Sequence, residues 1–251
     1  MYQNARKQEI LSILTKRTYA TVAALSKELH TSPSSIRRDL SQMETEGLVV
    51  RSYGGVELPN AQKHFVPFSS RRHQNSDIKR QMAEKAVTFL ESGDVIFLDD
   101  SSSAYFVAEK LIAMKDITVV TSSIDVLFLL SQSDIKTYSV GGLIDPENRT
   151  CLVGSYATEM IRSIRADWCI FSVKSLDTDG TLTDCVEEGV AVLKNMLAVS
   201  KKTMFLCDNS KLGTRSMFVQ CMINDLDIVI SDSDLPSFLN IKTEKTKFIP
   251  V

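Results

Sequence analysis

Six short apolar runs in the C-terminal two thirds of the chain constrain the fold more than any other feature of the sequence. They cover residues 95–98, 117–120, 135–140, 168–173, 204–207 and 228–230. Segments with helical spacing of apolar residues separate these runs. Strands that alternate with helices are typical of βαβ units, in which helices cover both faces of a mainly parallel sheet. The sequence therefore predicts an α/β domain with a mainly parallel sheet over residues 75–251.

Residues 1–58 follow a different pattern, which indicates a winged helix-turn-helix. Apolar residues recur at helical spacing over 4–16 and again over 22–29. The stretch 48–58 reads as two short strands around a glycine turn, that is, a hairpin or wing. Residues 59–74 mix proline, asparagine, serine and basic residues without a steady period, so we interpret them as the linker between two domains.

A third helix is predicted between these elements, from Pro33 to about residue 46. Ser32 can cap the free N–H groups of the first turn, and proline at the first helical position loses no hydrogen bond. Gly47 then ends the helix. The helix presents one apolar stripe, formed by Ile36, Leu40 and Met43. The side chains between these positions must point elsewhere.

The net charge of −2 conceals an asymmetry between the two parts of the chain. Residues 1–80 carry 13 Lys/Arg and 7 Asp/Glu, a net charge of +6; subtraction from the totals of 29 and 31 leaves 16 basic and 24 acidic residues over 81–251, a net charge of −8. Because the neutralisation of phosphates requires clustered positive charge, nucleic acid is a plausible partner for the first part only.

Composition excludes several other classes. No apolar run approaches the ~20 residues of a membrane-spanning helix, and residues 1–18 lack the apolar centre of a secretory signal, so we expect a cytoplasmic protein with no membrane partner. The five cysteines are odd in number and widely spaced, without a CxxC pair. We expect reduced thiols and no metal site.

The solvent face of the third helix carries the predicted readers of DNA. We assign contacts with base edges and nearby phosphates to Ser34, Ser35, Arg37 and Arg38. An isolated Arg-Arg pair is more often a solvated surface pair, which Asp39 and Glu44 would offset here. Three helices, a wing and a basic first domain together favour the DNA-binding interpretation.

Four further residues are assigned to the DNA backbone and the wing. Thr31 and Ser32 lie at the positive end of the third helix, where a phosphate can bind. Arg51 and Tyr53 belong to the predicted hairpin.

The residues just described resemble the signature of the DeoR family of bacterial regulators. The run 32–40 (Ser-Pro-Ser-Ser-Ile-Arg-Arg-Asp-Leu) is followed by Glu-Thr-Glu-Gly-Leu over 44–48 and Arg-Ser-Tyr-Gly-Gly over 51–55. Ser35 stands where the family usually has threonine. The resemblance implies an N-terminal domain that binds operator DNA and control of sugar or nucleoside genes in response to a phosphorylated intermediate.

The resemblance extends over nearly all of the remaining chain, where the family's sensor domain is similar to sugar-phosphate isomerases such as ribose-phosphate isomerase. Parallel sheets bind ligands at the carboxyl ends of their strands. The candidate effector-binding residues are Asp99, Ser101, Ser102, Ser103, Thr121, Ser122, Gly141, Gly142, Lys174, Glu188, Asp208 and Lys211.

These candidates differ in what the residues themselves support. The serine loop 99–104 lacks the family's glycine, and Lys174, at the end of run 168–173, stands where a small residue is usual. Asp208 and Lys211 match the family's Asp-x-Ser-Lys motif. Glu188, with Asp184 and Glu187, precedes a predicted helix that reaches Leu197.

A purely structural role is the alternative for several candidates. Ser102 and Thr121 can be plain helix caps, Asp208 a turn former, and Gly141 and Gly142 can serve backbone geometry alone.

Three functions remain open at this point. The first is a repressor, a homodimer or tetramer without cofactor or catalytic residues, whose operator affinity changes when a phosphorylated sugar binds. The second is a sugar-phosphate isomerase with a DNA-binding appendage, which would use Asp99 or Glu188 as base. The third is a constitutive repressor whose pocket is degenerate.

Overall fold

A computed structural model of the chain describes residues 2–17, 19–52, 55–58, 68–243 and 245–251. The chain forms two compact units, Met1–His73 and Gln74–Val251.

The first unit contains three helices and a small antiparallel sheet that share one core. The helices are α1 (Tyr2–Arg17), α2 (Val22–Glu28) and α3 (Pro33–Thr45), and the strands are β1 (Tyr19–Thr21), β2 (Val50–Ser52) and β3 (Gly55–Glu57). The sheet has the order β1-β3-β2. The buried side chains include the predicted stripe of α3 together with Ile10, Leu14, Leu25, Val49 and Val56. The predicted winged helix-turn-helix is confirmed, with β1 as an addition that its three residues were too few to reveal.

The ends of α3 form as the sequence predicts. The Ser32 hydroxyl accepts a hydrogen bond from the Ser35 backbone N–H at 3.3 Å, and Pro33 occupies the first helical position. At the other end Gly47 takes a φ of +69°. The Gly47 and Leu48 N–H groups donate to the carbonyls of Glu44 (3.0 Å) and Met43 (2.8 Å), which is the glycine-dependent Schellman ending.

The second half of the predicted linker is helical. Residues Phe68–His73 form α4, which closes the first unit. Phe68 is buried, with the Arg71 guanidinium 5.7 Å from its ring centroid. Burial of one aromatic ring stabilises this short helix, which carries no apolar period that a sequence pattern would reveal.

The second unit is built on a seven-stranded sheet in which every described pairing is parallel. Its strands are β4 (Val95–Leu98), β5 (Thr118–Thr121), β6 (Lys136–Ser139), β9 (Ala166–Phe171), β12 (Ser200–Cys207), β14 (Ile228–Ser231) and β15 (Lys247–Pro250). The order across the sheet is β15-β14-β12-β9-β4-β5-β6. The predicted mainly parallel sheet is therefore confirmed, and β15 is an edge strand that the prediction lacked.

Helices cover the sheet in two groups. They are α5 (Ser76–Val87), α6 (Ser102–Leu111), α7 (Ile124–Leu130), α8 (Ser155–Arg162), α9 (Glu187–Val199) and the short α10 (Leu235–Phe238). Helices α5, α6 and α7 pack in sequence against one another, and α8 packs on α9. Residues on both faces of β4 and β9 are buried, and the Phe171 and Phe205 rings stack with centroids 5.4 Å apart.

Two small antiparallel additions flank the main sheet. One is the hairpin of β7 (Leu143–Ile144) and β8 (Leu152–Val153). The other is a sheet of β10 (Ser175–Leu176), β11 (Thr181–Asp184) and β13 (Phe218–Met222). Several of these strands have only two residues, too few for a period-2 pattern, so the sequence did not predict them.

Candidate nucleic-acid interface and ligand site

The exposed face of α3 carries the two arginines of the predicted DNA-reading element. Ile36 and Leu40 are fully buried, whereas Arg37 and Arg38 are exposed. No ion pair joins either guanidinium to a residue that the structure describes. Both arginines therefore keep their charge and their donors available for an external anion.

Asp39 does not offset these arginines, although the alternative of a solvated surface pair required it to do so. Its side chain is 1% exposed and accepts a hydrogen bond from Arg6 Nε of α1 at 2.5 Å. A second ion pair, Lys7 Nζ to Glu46 Oε1 at 2.7 Å, also links α1 with the end of α3. The helical period turns Asp39 inward beside Leu40, so its charge pairs with α1 and does not neutralise Arg37 or Arg38.

Hydroxyl groups cluster at the N-terminus of α3. The Ser32 Oγ lies 3.0 Å from the hydroxyl oxygens of both Ser34 and Ser35. Ser32 and Ser34 are exposed and Ser35 is half-buried. Thr31 differs, because its hydroxyl donates to the Leu29 carbonyl at 2.9 Å. The three serines suit a phosphate or a base edge better than Thr31 does, since the Thr31 donor is engaged.

The wing contributes one described candidate. Arg51 is exposed on β2, opposite Val56 of β3. Tyr53, the other predicted wing residue, lies outside the described residues.

The predicted ligand residues of the second unit follow the carboxyl ends of neighbouring strands. Asp99 follows β4, Thr121 ends β5, and Asp208 follows β12. The order β12-β9-β4-β5-β6 brings these ends to one edge of the sheet. This is the edge at which open parallel sheets bind ligands.

Asp99 organises the loop after β4. Its Oδ1 accepts from the Ser101 N–H (3.1 Å) and hydroxyl (2.6 Å), and its Oδ2 accepts from the Ser172 N–H at 3.1 Å. Burial, with the neighbouring charge of Asp100, raises the pKa of Asp99 to about 8. Asp99 thus fastens the end of β4 to the chain after β9, a structural role that its position in the sequence did not reveal.

The serine loop is less available to a phosphate than we expected. The Ser101 hydroxyl donates to Asp99 and accepts from the Ala104 N–H at 3.1 Å, so it caps α6. Ser102 and Ser103 are buried. Asp100, which accepts a hydrogen bond from the Asn148 amide, adds a carboxylate to the same loop.

Thr121 and Ser122 also serve the backbone. The Thr121 hydroxyl oxygen accepts from the Ser123 N–H at 3.0 Å, and both residues are buried. The residue that caps α7 is Ser123, whose Oγ accepts from the Val126 N–H at 3.2 Å. The cap therefore lies one residue beyond the predicted pair.

The two glycines after β6 have different reasons for being glycine. Gly141 has a φ of +66° and open space around the position of a Cβ atom. Gly142 has a φ of +100°, and a Cβ atom there would collide with the Val153 carbonyl oxygen of β8. Gly142 permits the hairpin to close, whereas Gly141 leaves room at the strand end.

Lys174 and Glu188 lie differently from their predicted positions. Strand β9 ends at Phe171, so Lys174 lies in the loop beyond it, half-buried, and its backbone N–H donates to Asp184 Oδ2 at 3.1 Å. Glu188 is exposed in the first turn of α9 and not before that helix. Its negative carboxylate interacts favourably with the positive end of the α9 helix dipole.

Asp208 is fully buried at the end of β12. Its Oδ1 accepts from the Asn75 side-chain amide at 2.9 Å, from the Ser210 N–H at 3.0 Å and from the Ser210 hydroxyl. Burial raises the pKa of Asp208, but the Lys211 charge and the hydrogen bonds from Ser210 and Asn75 outweigh it and leave the pKa below its ordinary value. Asp208 is therefore ionised, and Lys211 is half-buried beside it. Asn75 was not predicted as a site residue, because nothing in the local sequence reveals a hydrogen bond across 133 residues.

Neither a membrane nor a metal is suggested by the described residues. None of their helices is long and apolar enough to cross a bilayer. They also include no group of three or more His, Cys, Asp or Glu side chains arranged to hold a metal ion. All five cysteines are free.

Both units match known protein-family models. Residues 6–62 match the DeoR-like helix-turn-helix domain, and residues 74–233 match the DeoR C-terminal sensor domain. The HTH-type transcriptional repressor GlcR of Bacillus subtilis is 31% identical over 92% of this chain and 89% of its own length. The glycerol-3-phosphate regulon repressor of Escherichia coli is 25% identical over 97% of each chain. The L-fucose operon activator of Haemophilus influenzae is 28% identical over 99% of each.

Solved structures give a weaker likeness. Ribose 5-phosphate isomerase A from Neisseria gonorrhoeae superposes with a TM-score of 0.42 and 21% identity, over 55% of this chain and 54% of its own.

Proposed function

Because the chain belongs to the DeoR family of transcriptional regulators, we propose that it is a repressor of carbohydrate-metabolism genes whose operator affinity changes when a phosphorylated sugar binds. We assign DNA binding to the first unit and ligand sensing to the second. The relatives' names support control of carbohydrate genes, since they include a glycerol-3-phosphate regulon repressor and an L-fucose operon activator, and the names of GlcR and of the glycerol-3-phosphate relative support repression. Such a protein acts in the cytoplasm, where its operator is.

One observation carries the DNA-binding part of the proposal. Arg37 and Arg38 project from a serine-capped helix whose opposite face is fully buried, and no described residue neutralises them. An arginine fork matches the O6 and N7 acceptors of guanine in the major groove. The residues assigned to DNA are Thr31, Ser32, Ser34, Ser35, Arg37, Arg38, Arg51 and Tyr53.

The test is a comparison of two charge-matched variants. DNA selected from a random pool by the wild-type chain gives the operator, and mobility shifts then compare Arg38→Ala with Arg165→Ala, an exposed arginine of the sensor unit. Loss of a base-reading arginine costs about 1–3 kcal/mol and relaxes sequence preference at one position. Arg165→Ala should leave both unchanged. If Arg38→Ala retains full operator preference, α3 is not the recognition helix.

The sensor proposal rests on the strand ends. Lys174 and Lys211 supply positive charge on the β9 and β12 side of this edge, whereas the Asp100 carboxylate makes the β4 side acidic. We expect the anionic group of the ligand at the lysines and its hydroxyls at this carboxylate. The remaining proposed contacts are Asp99, Ser101, Ser102, Ser103, Thr121, Ser122, Gly141, Gly142, Glu188 and Asp208.

Thermal unfolding with ribose 5-phosphate, glucose 6-phosphate and fructose 6-phosphate tests the sensor. A native-state ligand at 100 times its Kd stabilises the chain by roughly 2.7 kcal/mol. Lys211→Met should abolish the rise in Tm, whereas Lys115→Met, remote from the strand ends, should not. The engaged Ser101 hydroxyl and the Asp100 carboxylate favour one alternative, a constitutive repressor with a degenerate pocket. Unchanged Tm with sugar phosphates, together with operator binding, would support that alternative.

We infer further that the protein is not an isomerase. Asp99 is buried and bound by three donors, and Glu188 is exposed on a helix, so neither is placed as a base at a substrate carbon. Turnover of pentose or hexose phosphates by the purified chain would contradict this inference.

Assembly is part of the proposal. One three-helix domain buries a small DNA interface, and paired half-sites raise affinity by linkage. We therefore propose a homodimer or tetramer on a palindromic operator, which light scattering with and without DNA would measure.

A further inference from the structure

The carboxylate of Asp208 joins two distant parts of the sensor unit. It follows β12 and hydrogen-bonds the Asn75 amide at 2.9 Å, across 133 residues of sequence. Asn75 immediately precedes α5 and is the second residue of the sensor unit, which begins at Gln74. One end of this hydrogen bond is thus at the candidate ligand site, and the other is where the chain arrives from the DNA-binding unit.

Asn75 adopts a backbone conformation that directs its side chain to Asp208. Its φ and ψ are +52° and +34°, the left-handed region, which asparagine tolerates better than most residues. It occupies the N-cap position of α5 without capping it. The usual capping bond is therefore given up, and the amide donates to Asp208 instead.

Lys79 holds Gln74, the residue that precedes Asn75. Its side chain is buried, and its ammonium donates to the Gln74 carbonyl at 2.6 Å. The same ammonium contributes positive charge to Asp208. Gln74 and Asn75 are therefore both held by groups that surround one carboxylate.

Lys211 connects this arrangement to the ligand site. Asp208 Oδ2 is buried and accepts no hydrogen bond from a described residue, so the Lys211 and Lys79 charges stabilise it. Lys211 is half-buried, which leaves its ammonium able to turn toward an anion in solvent. An anion that attracts Lys211 removes one of the two cations from a buried carboxylate, and the groups that remain must compensate.

We propose that Asn75 is a positioning residue. Through its hydrogen bond to Asp208, it transmits whether Lys211 lies beside Asp208 or is drawn to an anion, and it thereby sets the position of the segment that enters the sensor unit from the DNA-binding unit. The inference rests on the proposed function, because it concerns how ligand occupancy changes operator affinity. Asn75 acts through Asp208 and contacts neither DNA nor ligand in this scheme. The coupling runs through the Asp208 carboxylate, which interacts with Lys211 at the ligand site and with Asn75 at the start of the sensor unit.

A double-mutant cycle on the full chain tests this coupling without any ligand. Operator affinity is measured for the wild type, Lys211→Met, Asn75→Gly and the double variant, on DNA that the wild type selects. Glycine keeps the left-handed backbone at no steric cost and removes only the amide. Lys211→Met should change operator affinity about five-fold or more in the wild-type background, as allosteric couplings do. In the Asn75→Gly background the same change should stay within about two-fold.

Asp116→Gly is the matched control. Asp116 also has a left-handed backbone, with a φ of +57°, and its carboxylate accepts a hydrogen bond from Ser92, but it precedes β5 at the opposite edge of the sheet. In this background Lys211→Met should keep its full effect. If Asn75 has only a structural role, Asn75→Gly should lower stability, and Lys211→Met should change operator affinity by the same factor in both backgrounds. That result would overturn the coupling. A wild-type chain that selects no DNA would overturn the proposed function and this inference together.

Discussion

Asp39→Asn separates two interpretations of the acidic residue beside the recognition arginines. The carboxylate is 1% exposed and bonded to Arg6, whose side chain is 26% exposed. Breaking a buried ion pair costs about 3–5 kcal/mol, and a hydrogen bond to a charged group contributes about 1.5–3 kcal/mol. Because water can reach Arg6 and asparagine retains the volume and one acceptor, we expect the first unit to lose about 2 kcal/mol of unfolding free energy.

Glu44→Gln is the control for charge. Glu44 is exposed on the same helix, and no ion pair joins it to a described residue. The substitution should leave stability within about 0.5 kcal/mol and strengthen DNA binding slightly, because one negative charge near the phosphates is lost.

The two units can be monitored separately during urea unfolding. The single tryptophan, Trp168, is buried in β9, so its fluorescence reports the sensor unit. Far-ultraviolet circular dichroism reports the helices of both units. Asp39→Asn should shift the unfolding of the first unit, seen by circular dichroism but not by fluorescence, to lower urea concentration. If the variant unfolds like the wild type and gains DNA affinity as Glu44→Gln does, Asp39 is a surface charge and our account of α3 is wrong.

Three further predictions concern stability. The raised pKa of Asp99 means that, between about pH 4 and pH 8, the folded chain holds a proton that the unfolded chain has lost. The unfolding free energy should therefore decline as the pH rises through this range. Urea titrations across pH should show a flatter decline for Asp99→Asn. Gly142→Ala should cost more than Gly141→Ala, about 3 against about 1 kcal/mol, because only the former adds a collision with the Val153 carbonyl to the left-handed strain; equal shifts in Tm would contradict this. Ser32→Ala removes the cap of α3 and should cost about 1 kcal/mol in the first unit, read by circular dichroism.

The elements that sequence patterns predicted are those with a strong period or a capping signal. The strand Val95–Leu98 is predicted residue for residue, because four apolar residues sit between polar ones and both faces are covered. Helix α3 follows from Ser32, Pro33 and Gly47, each of which has a local physical role. Strand β15 was missed because it has only two adjacent apolar residues, with Lys247 before them and Pro250 after them, as is common at a sheet edge.

The candidate site was predictable in location but not in its bonding. That ligand groups lie at the strand ends follows from parallel topology alone. That Ser101 caps a helix, that Asp39 faces Arg6 and that Asn75 reaches Asp208 depend on which groups meet across 3, 33 and 133 residues. Only the first of these separations lies within the range of a sequence motif.

The central position of β4 in the sheet also affects how the chain is made. Its register partners on one side, Thr118–Thr121, leave the ribosome soon after it, but those on the other side begin with Trp168, 72 residues beyond Ile96. In a nascent chain, the side of β4 that pairs with β9 therefore has no partner strand until β9 is synthesised. Arrest of translation before β9 would leave the unpaired N–H and C=O groups of β4 exposed to chaperones and proteases.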